Sequence, residues 1–214
     1  TYAGGRGGSV NITATDSILI RGTSPPDDGY NFPSSIQALA YPGSTNGGGN
    51  VTLTTGTLTI RDGANVNVGA LVPGFAGSLR IVANSVILDN KGSLASATTS
   101  GEGGNIFVQT QNLQLRRNST ITATAGGTGN GGNIALDTNT LASLENSSIT
   151  ANAFQGRGGN ISINTQGIYV APSSRITASS QLGVAGVVQV NNPETSPNAG
   201  LINLPENVAD TSNQ

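Results

Sequence analysis

Residues that could carry chemistry are sparse in this sequence. None of its 214 residues is a histidine or a cysteine, so the commonest general base, a thiolate nucleophile and a zinc-thiolate site are excluded. The carboxylates are scattered, and Asp137 stands alone on its predicted strand, so no carboxylate pair is predicted at the separation that glycoside hydrolysis requires. We therefore expect no catalytic residue, no cofactor, no metal site and no enzyme.

The densest group of functional side chains extends from Asp27 to Phe32. Asp27 and Asp28 precede Tyr30 and Phe32, and two carboxylates beside two aromatic rings could bind a cation or a sugar. Calcium needs about six to eight oxygen ligands, whereas Pro-Asp-Asp-Gly is a favourable turn sequence. A solvated turn is the preferred interpretation, with ligand binding as the alternative.

Phe107 is a second candidate contact, because its position in the repeat described below predicts that it points outward. An exposed aromatic side chain among threonines and asparagines could stack on a sugar ring or contact a partner protein. The ring could equally lie beneath a loop. Both interpretations are open from the sequence.

Charged side chains recur at nearly equivalent positions of the repeat, namely Arg21, Arg61, Asp89, Arg116 and Glu145. Side chains stacked at strand spacing could alternate in sign and stabilise the register of successive turns. Exposed ion pairs contribute less than about 1 kcal/mol each. A solvated corner without a functional role is therefore the preferred interpretation.

Charge and hydropathy exclude two kinds of partner. The net charge of −2 provides no basic surface for nucleic acid, and no run of about 18 apolar residues exists that could cross a membrane as a helix. Charged residues make up only 9% of the chain, which argues against ordinary disorder. Isoleucine, valine and threonine favour strands, so the composition predicts an all-β protein.

The element that must position these residues is a sequence repeat with a period of about 27 residues, in the range typical of solenoids. Its marker is a small residue followed by glycine, which recurs regularly at Gly48-Gly49, Ala76-Gly77, Gly103-Gly104, Gly131-Gly132, Gly158-Gly159 and Ala185-Gly186. The pair Gly7-Gly8 precedes these by one repeat plus an insertion. The best copies read Gly-Gly-Asn-Ile, at residues 103–106, 131–134 and 158–161. Each repeat also holds three apolar pairs in which every second residue is apolar, which is the period of a β-strand.

Three short strands with one apolar face each cannot form a core unless successive repeats stack. Stacked strands lie about 4.8 Å apart, and the crossover preference of parallel strands sets the hand. The repeat therefore predicts a right-handed parallel β-helix with three strands per turn and roughly six turns, about 29 Å tall. In one turn the second apolar pair is assigned to Leu141 and Leu144.

The glycine and asparagine at the first corner of each turn have predicted structural roles. Glycine tolerates positive φ, which a tight corner demands, and stacked asparagine side chains can form a hydrogen-bonded ladder along the axis. The residues assigned to these turn and ladder positions are Gly49, Asn50, Gly104, Asn105, Gly132, Asn133, Gly159 and Asn160.

Two segments depart from the repeat. Residues 1–191 are predicted to form the β-helix, with a loop insertion at about residues 23–34 that holds three of the nine prolines. Three more prolines beyond residue 191 are incompatible with regular ladder pairing. Residues 192–214 are therefore predicted to be an extended tail that covers the last turn or leads elsewhere. The chain opens in the middle of a repeat, so we expect a piece of a longer polypeptide.

The motifs Gly-Gly-Asn-Ile, Leu-x-Leu and Asn-x-Ser-x-Ile-x-Ala resemble the repeats of filamentous haemagglutinin-like exoproteins of two-partner secretion. The segment Val188–Asn191, followed by the Leu-Pro segment at residues 200–208, is similar to cyanobacterial members. The resemblance covers most of residues 1–210, and the family's amino-terminal secretion domain is not recognisable. It implies a right-handed β-helix, export through an outer-membrane transporter of a Gram-negative-type bacterium, and adhesion or aggregation outside the cell.

We expect a segment of a secreted structural or adhesive exoprotein, in which the rod is a spacer that contacts a cell-surface glycan or protein. The first alternative is a filament subunit that self-associates end to end, because unpaired strand edges invite the addition of further strands. A polysaccharide-binding or polysaccharide-processing β-helix is the remaining alternative.

Overall fold

Every regular element of the described chain is a β-strand. The computed structural model describes residues 7–25, 31–41 and 47–192, and no helix occurs in those ranges. The expectation of an all-β protein is confirmed. In chain order the strands are β1 (Val10–Thr13), β2 (Ser17–Arg21), β3 (Ser35–Gln37), β4 (Val51–Arg61), β5 (Asn65–Asn67), β6 (Ala70–Pro73), β7 (Leu79–Asp89), β8 (Ser93–Ala95), β9 (Thr98–Ser100), β10 (Ile106–Leu115), β11 (Thr120–Thr122), β12 (Ile134–Ser143), β13 (Ser148–Thr150), β14 (Ile161–Val170), β15 (Arg175–Thr177) and β16 (Val188–Asn191).

The largest sheet is parallel and in register through all its turns. Its strands follow the order β1, β4, β7, β10, β12, β14 and β16, and β2 also pairs with β4. The successive register partners that begin at Val10 are Val51, Leu79, Ile106, Ile134, Ile161 and Val188. Regular turns of nearly equal length thus follow one longer turn, which confirms the parallel β-helix and its repeat.

The first two apolar pairs of each regular turn lie on one long strand with an irregularity in its middle. There, one residue per strand has no register partner, as at Gln111 and Asn139. Side chains alternate with a period of two, so the extra residue leaves two successive side chains, those of Gln111 and Asn112, facing outward. Neighbouring strands carry the unpaired residue at the same place, so the register is the same on both sides of it. We call this column the bend, and its residues are Gly56, Asn84, Gln111, Asn139 and Gln166.

Two smaller sheets complete each turn. The second sheet stacks the third apolar pairs in the order β15, β13, β11, β8, β5 and β3. Three sheets correspond to the expected three strands per turn. The third sheet is built largely from small residues, and the sequence pattern did not predict a strand there. That sheet consists of β6, β9 and single parallel bridges, which together connect Ala40, Ala70, Thr98, Ala125, Ala153 and Ser180.

Leucine, isoleucine and valine fill the interior in columns along the axis, and one predicted member of these columns is wrong. Leu144 is only half-buried, and Ser143 takes the inward position, in register with Leu115 and Val170. The strand period places residue 143, not residue 144, on the same face as Leu141. The Ser143 hydroxyl is consequently buried without a hydrogen-bond partner.

The glycines of the first corner are required by close packing between turns. Positive φ among the described glycines occurs at other positions, so the expectation of positive φ at Gly49, Gly104, Gly132 and Gly159 is wrong. A Cβ atom on Gly132 would overlap the carbonyl oxygen of Gly104 in the preceding turn, and one on Gly159 would overlap that of Gly132. Only a residue without a side chain fits this column.

Candidate functional site

The first-turn insertion is described only at its base. Asp27, Asp28 and Tyr30 lie outside the described residues. Thr23 and Pro33 form an antiparallel bridge, and the Ser24 N–H donates to the Phe32 carbonyl at 2.7 Å, so the two sides of the insertion meet where they join the β-helix. Phe32 is 64% exposed, and ligand contact at this segment stays a prediction.

Phe107 faces outward on β10 but is partly covered by protein. It is a register partner of Arg80, whose guanidinium lies over the ring, 4.4 Å from its centroid. Phe107 is half-buried as a result, and a cation–π contact at such a site is worth about 0.5–1 kcal/mol. One face of the ring is therefore already occupied, and partner contact at Phe107 stays a prediction.

The charged side chains stack at the second corner, where the largest sheet ends. Arg21, Arg61 and Asp89 are successive register partners. In a later turn Leu144 continues the strand ladder, because its N–H donates to the Leu115 carbonyl. Glu145 therefore lies one residue past the column in which the sequence put it.

Two ion pairs connect successive turns at this corner. Arg116 donates to the Glu145 carboxylate at 2.8 and 3.3 Å, and Arg117 donates to both carboxylate oxygens of Asp89. Arg117 and Glu145 have positive φ, at 50° and 54°. The hydrogen bond and the charge of Arg116 lower the pKa of Glu145, and the Glu145 carboxylate in turn raises the pKa of Arg116. Both ion pairs join one turn to the next within the protein, so a structural role is sufficient to explain them.

A groove of about 450 Å³ crosses four successive strands of the largest sheet on the outward side of the bend. Two columns of the repeat supply its side chains. Gln109 and Asp137 are register partners on β10 and β12, and the other column is the bend itself. We call this surface the amide groove, and its exposed polar side chains are Asn84, Gln109, Gln111, Asp137 and Asn139.

Buried threonine hydroxyls hold the backbone of the bend from inside. The Thr138 hydroxyl lies within hydrogen-bond distance of the Gln111 carbonyl, at 3.2 Å, and of the Thr140 carbonyl, at 2.9 Å. The Thr165 hydroxyl makes the equivalent contacts with the Asn139 and Gly167 carbonyls, at 3.1 and 2.9 Å. A hydroxyl has one proton, so each threonine donates to one of its two carbonyls at a time. Either contact ties the buried threonine to the backbone from which the side chains of the groove project.

The polar side chains of the amide groove are free of hydrogen bonds, in contrast to most asparagine side chains elsewhere in the repeat. None of the five makes a hydrogen bond or ion pair within the described structure. At the first corner, by contrast, the Asn105 Oδ1 accepts from the Asn133 N–H at 2.9 Å, and the Asn133 Oδ1 accepts from the Asn160 N–H at 2.9 Å. Amides at the corner therefore bind the next turn, whereas amides in the groove face solvent with all their donors and acceptors unused.

Charge in the amide groove is limited to one carboxylate, that of Asp137. Over the described ranges no three histidine, cysteine, aspartate or glutamate side chains cluster in a way that could hold a metal ion. No helix in that part of the chain is long and apolar enough to cross a membrane. The exposed polar side chains of the groove therefore offer hydrogen-bond donors and acceptors together with one negative charge.

The amide groove was not among the sites predicted from sequence, although Asp137 was noted as a lone carboxylate. The available signal was the amide that follows the first apolar pair in successive repeats, at Asn84, Gln111, Asn139 and Gln166. No protein-family model, no curated protein and no solved structure matches this chain. The case for a site therefore depends on the geometry of the groove itself.

Proposed function

We propose that this chain is a segment of a secreted, extracellular exoprotein in which the β-helix is a rigid rod that supports cell adhesion, aggregation or matrix formation. The observation that supports it most is the unbroken parallel register from Val10 to Val188. In the largest sheet each described turn pairs with the turns next to it, so the architecture extends along one axis and can hold surfaces apart.

The more specific assignment is to a filamentous haemagglutinin-like exoprotein of cyanobacterial type, exported through an outer-membrane transporter of a Gram-negative-type bacterium. It is supported by the repeat motifs, whose Gly-Gly-Asn-Ile copies form the first corner and the start of β10, β12 and β14. The proposed role is not catalytic, because one carboxylate in the groove, Asp137, does not make the acid and base pair of a glycosidase.

The location and the adhesive role can be tested with antibodies against the purified chain. Intact cells that produce the protein should be labelled at their surface, and antibody fragments or an excess of free chain should reduce attachment or aggregation of those cells. Labelling that appears only after the cells are lysed would overturn the assignment. Surface labelling without any effect on attachment would restrict the role to a structural one.

A filament subunit that stacks end to end is the second candidate. It is favoured by the apolar side chains exposed on the last described turn, among them Val187 at 61%, Val190 at 43% and Tyr169 at 61%. Unpaired strand edges beside apolar side chains favour the addition of another chain. Electron microscopy of the purified chain should show regular fibres that Val190→Glu abolishes, whereas single short rods at all concentrations would exclude this candidate.

A further inference from the structure

We propose that the amide groove binds a neutral polysaccharide chain, which lies along the axis of the β-helix across successive turns. This inference deepens the adhesive role proposed above and rests on it, since it names the class of surface ligand that the rod would hold. The observation that supports it is that five free polar side chains, from two columns of the repeat, surround one groove of about 450 Å³.

The chemistry of the lining matches a ligand rich in hydroxyl groups. An amide side chain offers two N–H donors and an oxygen acceptor, and a sugar hydroxyl likewise donates and accepts. Gln109, Gln111 and Asn139 keep all these groups unused. A glycan can satisfy such groups without the cations that a charged ligand would require.

The geometry of the repeat favours a polymer over a small molecule. Asn84, Gln111 and Asn139 occupy the same place in three successive turns, so equivalent donors and acceptors recur about every 4.8 Å along the axis. A ligand with a repeating unit can bind such a column at several points at once, and the contacts reinforce one another through effective concentration. A single sugar would use only one of these points.

Other ligand classes fit the amide groove less well. An anionic polymer would face the Asp137 carboxylate with no cation among the lining residues to offset it. An extended peptide usually adds to a sheet edge through backbone hydrogen bonds, but the groove lies on the face of a sheet whose strands already pair on both sides. A neutral glycan remains the ligand whose bonding groups match the side chains.

A second groove of similar volume shows why the amide groove is the better site. That groove, of about 460 Å³, follows the first corner and is lined by Asn105, Asn133 and Asn160. All three Oδ1 atoms already accept backbone N–H groups of the next turn. Its glutamate is also engaged, since Asn130 donates to Glu102 at 3.2 Å. A ligand there would have to compete with the hydrogen bonds that stabilise the fold.

The test is affinity electrophoresis and sedimentation of the full chain with insoluble and soluble neutral polysaccharides. The probes are dextran, laminarin, xylan and galactomannan, and alginate serves as the anionic comparison. The groove variant Gln109→Ala/Gln111→Ala should bind at least about tenfold more weakly than the unchanged chain. The matched control is Gln155→Ala/Gln181→Ala, which removes two exposed glutamines outside the groove and should leave binding unchanged. Equal unfolding midpoints would show that neither pair of changes disturbs the fold.

Asp137→Asn separates the neutral ligand from an anionic one. It exchanges the one carboxylate of the groove for an amide, so it should weaken binding of the neutral probes less than the groove variant does and should not create tight binding to alginate. The proposal is overturned if no neutral probe binds, if the control loses binding as much as the groove variant, or if only alginate binds. Release of reducing ends would also overturn it, because the groove would then process the polymer. None of these results tests the proposed extracellular role, which the antibody labelling of intact cells decides separately.

Discussion

The first corner and the bend use the same amide side chains at the same spacing, with opposite outcomes. At the corner the Asn133 N–H has an amide oxygen of the preceding turn as its acceptor, at 2.9 Å. At the bend the strand ladder continues on both sides of the extra residue, and threonine hydroxyls contact the carbonyls of Gln111 and Asn139. The Gln111 and Asn139 side chains make no hydrogen bond there, so both remain free. Whether an amide stabilises the rod or presents a binding group thus depends on the backbone beside it.

The largest expected effect breaks the corner itself. Gly132→Ala puts a Cβ atom against the Gly104 carbonyl oxygen and should lower the free energy of unfolding by about 3 kcal/mol or more, the upper range for overpacking. Gly167→Ala is the control, since a Cβ there meets nothing within 4 Å, and it should stay within about 0.5 kcal/mol. Urea denaturation followed by circular dichroism measures both. A loss of similar size in the two variants would show that glycine matters here for a reason other than contact between turns.

The next effect tests the support of the bend. Thr138→Val removes the hydroxyl that lies 3.2 and 2.9 Å from the Gln111 and Thr140 carbonyls, and it should cost about 1–3 kcal/mol because the site is buried. Glycan binding by the amide groove should weaken as well, since Gln111 loses the contact that fixes its backbone. Thr138→Ser retains a hydroxyl and should recover most of both properties. Unchanged binding in a destabilised Thr138→Val chain would separate the groove from the threonine column.

A direct comparison of the two amide columns comes third. Asn133→Ala deprives the Asn160 N–H of its acceptor and should cost about 1 kcal/mol, the usual net value of one hydrogen bond. Asn139→Ala removes a free side chain and should change the free energy of unfolding by less than about 0.5 kcal/mol. Denaturation of the two variants in parallel measures both changes in the free energy of unfolding. Equal costs would contradict the division into corner and groove amides.

The smallest effect concerns the charged corner. Because Arg116 lowers the pKa of Glu145 in the folded chain, this carboxylate contributes stability at pH values above its unfolded pKa, and the contribution disappears as the pH falls through the lowered folded value. Glu145→Gln should therefore remove part of the loss of stability in acid. The difference from the unchanged chain should shrink in high salt, because both partners are exposed. Thermal unfolding between neutral pH and pH 3, at two salt concentrations, measures it.

Much of the fold followed from the sequence because a solenoid repeats its local pattern in every turn. The apolar pairs have the strand period, and the regular spacing of the repeat fixes which strands become neighbours. The same local pattern gave a wrong prediction at Leu144, because Ser143 occupies the inward position that was assigned to Leu144. It also failed for the role of Gly132, since contact with Gly104 arises only when two turns stack.

The sequence by itself thus determined the repeat, the all-β class, the parallel stacking and the sparse chemistry of this chain. The tertiary structure alone decided which polar side chains are used and which are free. Asn133 and Asn139 are identical residues in one repeat. The Gly-Gly pair before Asn133 marks it as a corner residue, but nothing in the sequence shows that the Asn139 side chain is unused. The difference arises because hydrogen bonding depends on the donors and acceptors of the neighbouring turn, a full repeat away in the sequence, and on the register that brings them together.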